Sequence, residues 1–477
     1  MSTEINRIRH SVVWSAIDKV ASSGIQLVLN LILARLILPE EFALVAMISI
    51  FIAIGQTFID SGFSQSLIHK QDRKPIDYST VFLFNIGVSS LFYLIIFLIS
   101  PLIADFYENE IFIPLTRIVS LNLIISSFSI VQRAVLIIRT DFKTQALISV
   151  FSILCSGIVG ISMAYNGFGV WAMVSQTLIY QFLATLLLWI FVRWMPVLAF
   201  SKSSFNELFS YGSKLLVSRL INTVCQNIHS LLIGKFYPRQ EVAYFTNANQ
   251  ISLYSAGYLN EIIQRALFPI QCEMQDDMEQ TRQFFYKMMR LSSFIIFPIM
   301  ITIIVLSEPF VMTVLTEKWA DMILLMQIIA FAYMWYPIMS SNQMFNVLGR
   351  TDLYLKTEII KKVFFVLIVV VTLFYGVKAM CAGIVVYNII EMIVTIGLLK
   401  TILPVSFRDV TKNIMPSLLC SSGMAFVTYF FILLLESMLA KLFIGAFVAI
   451  ISYITISFVF KSQDLSDIIK ILKIKKV

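Results

Sequence analysis

Residues 12 to 38 read VVWSAIDKVASSGIQLVLNLILARLIL, an apolar run with a row of polar residues inside it. The row consists of Lys19, Ser22, Ser23, Gln26 and Asn30. Spacings of three and four place these residues on one face of a helix. Since about 25 residues are enough to cross a bilayer, the stretch predicts a membrane helix whose polar stripe faces something other than lipid.

The composition of the whole chain agrees with this prediction. It is 58% hydrophobic and only 13% charged, with a mean hydropathy of +0.86, which excludes a water-soluble globule. Runs of about 20 apolar residues predict an all-α, polytopic membrane protein with fourteen transmembrane helices. The predicted spans are 11–36, 41–67, 78–104, 112–136, 144–165, 167–192, 209–234, 242–270, 288–307, 322–348, 357–376, 379–400, 412–435 and 438–460.

The sequence also repeats itself. A shift of 200 residues brings Lys19 onto Arg219 and Asp60 onto Asn260, and Arg139-Thr140-Asp141 returns as Arg350-Thr351-Asp352. The repetition predicts two parallel six-helix lobes with a central cavity between them, a plan found among secondary transporters. The predicted parts are an N-terminal lobe (1–200), a C-terminal lobe (201–403), two additional helices (404–460) and a basic cytoplasmic tail (461–477).

Charge placement predicts the topology. Only six of the 36 Lys and Arg residues lie in the odd-numbered loops: Arg35, Lys235, Arg239, Lys318, Lys378 and Lys441. By the positive-inside rule, both termini are then cytoplasmic. The net charge of +8 therefore reflects membrane topology and contact with membrane lipids, and it does not indicate nucleic-acid binding.

Four cations are left when the loop and tail charges are set aside, and each lies inside a predicted span: Lys19, Arg117, Arg219 and Arg265. A cation is costly in hydrocarbon, so these side chains should face the interior or water, where they suit an anionic head group such as pyrophosphate. The alternative is that they form structural ion pairs, for example Arg265 with Glu261. Four amides on the same helices either bind sugar hydroxyls or hold helices together: Gln26, Asn30, Asn222 and Gln226.

Three carboxylates inside spans are candidates for coupling a proton or sodium ion, the alternative being helix packing: Asp60, Glu261 and Glu391. The five cysteines are scattered, without the spacing of a metal site, so neither a metal nor a cofactor is expected. No nucleotide-binding or hydrolase motif is present in the sequence. We therefore do not expect an enzyme.

Three stretches resemble Wzx-type exopolysaccharide flippases: Leu33–Phe42 followed by Phe58–Gln65, Gly167–Ala172, and Leu232–Gly234. These flippases belong to the polysaccharide transport branch of the multidrug/oligosaccharidyl-lipid/polysaccharide exporter superfamily. The resemblance implies fourteen helices around a V-shaped cavity in the bacterial cytoplasmic (inner) membrane. It also implies that an undecaprenyl-pyrophosphate-linked repeat unit of an exopolysaccharide or lipopolysaccharide moves to the outer leaflet, with a polymerase and chain-length proteins as partners.

Two function classes remain open. The first is a lipid-linked oligosaccharide flippase that works by alternating access. The second is a drug or cation antiporter of the same superfamily, which should carry acidic residues where this chain has Lys19 and Arg219. A glycan polymerase or ligase would need a large outer loop, and the predicted loops are short.

Overall fold

The computed structural model describes residues 2–60, 63–197, 199–460 and 464–465. Within these ranges, the side chains of 2–13, 16, 210, 211, 214, 215, 262, 265, 266 and 268–270 are outside the description. All regular structure in the described ranges is helical, as predicted. Ten helices in this part of the chain are long and apolar enough to cross a membrane, or up to eleven if the bent segment 112–138 is one span. The protein is therefore a multi-pass membrane protein, while the fourteen-helix repeat layout stays a prediction.

Contacts divide the chain into two compact units, Met1–Ala243 and Tyr244–Val477. The helices of the first unit are α1 (Ser2–Leu36), α2 (Pro39–Ile59), α3 (Phe63–His69), α4 (Pro75–Phe106), α5 (Phe112–Val119), α6 (Leu121–Ser127), α7 (Ile130–Ile138), α8 (Phe142–Tyr165), α9 (Val170–Val192) and α10 (Lys202–Phe236). Helix α11 (Arg239–Glu273) continues into the second unit. The helices that follow it are α12 (Met278–Val305), α13 (Ser307–Phe310), α14 (Met322–Tyr333), α15 (Tyr336–Met339), α16 (Gln343–Val347), α17 (Thr351–Leu373), α18 (Val377–Leu399), α19 (Phe407–Leu433) and α20 (Met438–Val459).

Three predicted spans are helices of sufficient length that are not apolar enough to count among the ten. They are α10 and α11, with 35 residues each, and α17, with 23 residues. Polar and charged residues set these helices apart from the ten, among them Arg219, Asn222 and Gln226 on α10 and the charges of Lys356, Glu358, Lys361 and Lys362 on α17. Helices of this kind are stable in a membrane where their polar faces meet protein or water.

Glycines on α8 allow neighbouring helices to approach closely in the first unit. A Cβ at Gly157 would lie 2.6 Å from the side chain of Leu29 on α1, and one at Gly160 would lie 2.9 Å from Gln176 on α9. Such small residues are what membrane helices use for tight packing, because dispersion contacts drive their association. Gln145 on α8 donates a 3.0 Å hydrogen bond to Asp18 on α1, and Asp18 also accepts a 3.2 Å hydrogen bond from Ser22 of the polar row.

Helix α10 packs along α2. The hydroxyls of Thr57 and Thr223 are 2.9 Å apart, and a Cβ at Gly234 would lie 2.9 Å from Met47. These contacts place α10 in the first compact unit, although the sequence repeat assigns it to the start of the C-terminal lobe. The predicted boundary at 200/201 marks the sequence repeat and not the compact units. It stays a prediction.

The repeated Arg-Thr-Asp sequence lies at the start of a long helix in each unit. Asp141 caps α8 by accepting hydrogen bonds from the backbone and hydroxyl of Thr144. In the second copy, Arg350 donates two hydrogen bonds to Asp352 at the start of α17. The helices that follow end at turns in which Gly167 and Gly376 have φ values of +80° and +98°, a conformation that favours glycine.

The two additional C-terminal helices pack against α12 in the second unit. The buried hydroxyl of Tyr453 on α20 donates a 2.8 Å hydrogen bond to the carbonyl of Phe294 on α12. Met424 on α19 belongs to the same hydrophobic cluster. The predicted basic tail, 461–477, lies outside the described residues apart from 464 and 465.

Candidate functional site

The first unit contains a cavity of about 610 Å³. This volume lies within the usual range of about 300–1,000 Å³ for ligand pockets. Helices α2, α3, α5, α6, α7 and α9 contribute its walls. The polar lining residues are Ser49, Gln56, Asp60, Ser64, Asn122, Ser126, Ser129, Arg133, Thr177 and Gln181. The rest of the lining is mostly aliphatic, so the cavity combines an apolar wall with a concentrated set of polar groups.

A break in the fourth predicted span forms part of the polar wall. Helix α6 ends at Ser127 and α7 begins at Ile130, with a bend of 40° between the two segments. Ser126 and Ser129 satisfy nearby backbone carbonyls, donating to Leu123 at 2.9 Å and to Ser126 at 2.8 Å. Irregular backbone at membrane depth is tolerated where it is buried in protein or lines a cavity. The break between α6 and α7 is therefore tolerated because it borders the cavity.

Hydrogen bonds fix the orientation of the acidic group in the cavity. The Ser126 hydroxyl, which is shared with the Leu123 carbonyl, lies 3.1 Å from Gln56 Oε1, and Gln56 Nε2 donates to Asp60 Oδ1 at 3.3 Å. Asp60 lies at the end of α2, where its own backbone N–H still donates into the helix. The carboxylate is thus held at the cavity wall by a side chain from its own helix.

The site carries more positive than negative charge. Arg133 lines the cavity, and the positive charges of Arg133 and Arg219 both act on the carboxylate of Asp60. In the described part of the chain, Arg133 makes no ion pair, so its guanidinium is available to a ligand. Two arginines and one aspartate give this group a formal charge of plus one. Such a site attracts an anion, and guanidinium groups match phosphate oxygens in geometry.

The structure brings together only part of the predicted site. Asp60 lines the cavity and Arg219 acts on it electrostatically. The α1 candidates Lys19, Gln26 and Asn30 are half-buried on a helix that packs along α8. The α10 candidates Asn222 and Gln226 have exposed side chains. None of these five residues lines the cavity.

Arg117 contacts a neighbouring helix. Its Nε donates a 2.9 Å hydrogen bond to Ser100 on α4, and its guanidinium lies 4.0 Å from the ring centroid of Phe97. These contacts join α4 to α5 through a hydrogen bond and a cation–π interaction. Arg117 is not part of the cavity lining, and its proposed contact with substrate stays a prediction.

In the second unit, the predicted coupling residue Glu391 takes part in a buried ion cluster. Lys361 Nζ lies 2.7 Å from Glu391 Oε1 and 2.6 Å from Glu358 Oε1. The Lys361 and Glu391 side chains are only 5% and 9% exposed. Glu261 is half-buried on α11, and the side chain of Arg265 lies outside the described residues.

Sequence reasoning missed Arg133 and Lys361, which are central to these two clusters. Both lie within predicted spans, 112–136 and 357–376, but close enough to the ends to be counted as loop charges. The signals that could have found them are local. Three serines interrupt an apolar span at 126–129, and Glu358 precedes Lys361 at a spacing of three on one helix face. No group of three or more potential metal ligands occurs among the described residues.

Comparison with known proteins gives a family for this chain. A family model described as a polysaccharide biosynthesis protein matches residues 32–324. The matched region contains the whole cavity lining and Arg219. The stretches that resemble flippases in the sequence all lie in the matched region.

Two bacterial relatives and one solved structure are similar to the chain over most of its length. The teichuronic acid biosynthesis protein TuaB of Bacillus subtilis (strain 168) is 26% identical over 74% of this chain and 74% of its own length. The lipopolysaccharide biosynthesis protein WzxC of Escherichia coli (strain K12) is 26% identical over 83% of this chain and 82% of its own length. The lipid II flippase MurJ, in an inward closed conformation, has a TM-score of 0.78 and 15% identity, covering 94% of this chain and 98% of that chain. The last comparison shows a shared fold.

Proposed function

Because the chain belongs to the polysaccharide biosynthesis protein family, we propose that it translocates a lipid-linked oligosaccharide across the bacterial cytoplasmic membrane for synthesis of a cell-surface polysaccharide. The names of its relatives support this class of function: two are biosynthesis proteins for teichuronic acid and lipopolysaccharide, and the structural neighbour is a lipid II flippase. The substrate that we propose is an undecaprenyl-pyrophosphate-linked repeat unit.

The observation that carries the proposal is the excess positive charge at the cavity of the first unit. Arg133 projects into a space whose other polar groups are an aspartate, amides and hydroxyls. The two arginines suit the pyrophosphate, since each guanidinium can donate a pair of parallel hydrogen bonds to it. Asn122, Thr177 and the serines supply donors and acceptors for sugar hydroxyls. A drug cation would be repelled by the same arrangement, which disfavours the antiporter alternative.

Transport follows from alternating access to this cavity. The head group occupies the cavity, beside its aliphatic wall and the broken span. The polyprenyl chain stays in the bilayer. Asp60 is the proposed coupling group, since an intramembrane carboxylate near two cations can exchange a proton or sodium ion as the ligand arrives or leaves. Translocation in proteoliposomes should therefore slow when the ion gradient is collapsed, and an unchanged rate would exclude coupling.

Removing the charge of Arg133 from the cavity wall, together with that of Arg219, which acts on Asp60, tests the proposal. In R133Q/R219Q, translocation of an undecaprenyl-pyrophosphate-linked saccharide into proteoliposomes should fall about a hundredfold, the effect expected when a desolvated charge pair loses one side. The matched control is R139Q/K143Q, which removes two exposed cations of the same unit outside the cavity. A variant that is folded and transports at the normal rate would contradict the proposal.

The cellular setting completes the proposal. On the distribution of Lys and Arg along the sequence, we propose that both termini are cytoplasmic, and we expect a polysaccharide polymerase and chain-length proteins as partners. Reporter enzymes fused to each terminus test the topology, since a reporter active only in the periplasm should be inactive at both ends. Co-purification from cells that make the polysaccharide tests the partners.

A further inference from the structure

A second cavity, of about 520 Å³, lies within the second unit at one end of three helices. It is formed where α12 and α19 begin, together with Phe460 and Asp464, which come after α20. The charged lining residues are Arg282, Arg290, Asp409, Lys412 and Asp464. Because these helices are among the apolar membrane-length helices, their common end lies at a membrane–water interface.

The charges of this interface cavity leave positive groups available. Asp464 is 2% exposed and is paired with Arg290. Arg282 donates from one terminal nitrogen to Glu279 at 2.6 Å, while its Nε is buried without a hydrogen-bond partner. In the described part of the chain, Lys412 makes no ion pair. The lining residues themselves, three cations and two aspartates, have a formal charge of plus one, and Glu279 beside the lining offsets Arg282 through an ion pair in which the carboxylate side chain is 53% exposed.

Apolar surface continues directly from the cavity. Phe460 lines it and is 75% exposed, and the preceding Phe458 and Val459 are also exposed. On α19, Met415 and Leu419 are exposed in the same way. These side chains belong to membrane helices, so hydrocarbon chains are their natural surroundings. The cavity thus joins cationic donors at the interface to a surface for acyl chains.

We propose that this interface cavity binds an anionic membrane phospholipid, with its phosphate at Arg282 and Lys412 and its acyl chains on Phe460 and the neighbouring apolar residues. The occupant differs from the translocated substrate, because the site lies in the other compact unit and at a helix end. Nothing in the proposed transport cycle uses these residues. Phosphatidylglycerol has the required chemistry: a single phosphate with no compensating cation.

Native mass spectrometry of the full-length protein, titrated with phosphatidylglycerol, measures the affinity of this lipid for the interface cavity. R282Q/K412Q should weaken the tightest phosphatidylglycerol binding about ten- to thirtyfold, as expected for two cations near a membrane surface. The matched control is K287Q/R408Q, which removes two exposed cations from the same helices outside the cavity. It should bind phosphatidylglycerol normally. Equal melting temperatures in phosphatidylcholine nanodiscs establish that both variants are folded.

Each other outcome overturns the proposal. Unchanged phosphatidylglycerol binding in R282Q/K412Q would show that the lipid does not use the cavity. Equal losses in the two double variants would show a nonspecific effect of surface charge. Displacement of phosphatidylglycerol by millimolar inorganic phosphate would assign the site to a free anion. Binding of phosphatidylcholine as tightly as phosphatidylglycerol would remove the electrostatic basis.

Discussion

A membrane segment is interrupted in each compact unit, but the two interruptions have different surroundings. In the first unit, the break between α6 and α7 carries Ser126 and Ser129 and borders a cavity of about 610 Å³. In the second, the break between α14 and α16 carries Trp335 and Tyr336, which pack against a hydrophobic core, and the cavity beside it is only about 10 Å³. That volume is about the space one water needs. The two breaks therefore differ in the free space beside them: the first borders a cavity of ligand-pocket size, and the second borders a space of about one water.

The charges differ in the same way. Arg133 in the first unit lines an open cavity, whereas Lys361 in the second lies between two carboxylates. A cation buried between two carboxylates is already neutralised and holds helices together, whereas one that faces open space can bind an anion. We therefore assign the substrate head group to the first unit and a structural role to the Lys361 cluster.

The largest expected effect comes from breaking the Lys361 cluster. K361M leaves Glu358 and Glu391 without their cation, and breaking a buried pair in this way costs about 3–5 kcal/mol of stability. Unfolding of purified protein in detergent measures the loss. The triple variant K361M/E358Q/E391Q removes all three charges and should recover most of it. If K361M were as stable as the original protein, the cluster would not be structural, and Glu391 would again be open as a coupling site.

The next effect comes from filling the cavity of the first unit with an aromatic side chain, which would reduce the free space beside its break. Thr177 lines the cavity and is exposed within it, so T177W can occupy the space without displacing packed residues. Transport should fall at least about tenfold because the head group loses its position. F182W, at an exposed site on the same helix, is the control. If T177W folds and translocates the substrate at the normal rate, the cavity does not hold the transported head group.

The smallest effect is expected at an ion pair near the surface. Lys70 lies 2.8 Å from Glu207, whose side chain is 60% exposed, and this hydrogen bond raises the pKa of Lys70 above its ordinary 10.5. The contribution is present below that pKa and is lost as pH rises through the higher, folded value. E207Q should therefore cost less than about 1 kcal/mol at neutral pH, and the difference should disappear at strongly alkaline pH. A loss as large as that of K361M would contradict the contrast between buried and exposed pairs.

The sequence predicted the helical class, the membrane location and the family, because each depends on patterns that extend over many residues. It predicted Arg219 as a substrate contact and Asp60 as a coupling group; Asp60 lines the cavity, and both roles stay predictions. It could not identify Arg133 or Lys361, since a charge within two turns of a predicted helix end is indistinguishable from a loop charge. Nor could periodicity show which neighbour a polar face meets: it defines the face of α1, but not that Asp18 contacts α8.

Labelling of a cysteine in the cavity tests the central claim most directly. With the five natural cysteines replaced, T177C should react with a maleimide, and N166C, in the exposed turn before α9, provides the control. Undecaprenyl pyrophosphate should protect T177C while undecaprenol does not, and protection should be lost in R133Q/R219Q. Equal labelling of T177C with and without undecaprenyl pyrophosphate would show that the cavity does not receive the head group.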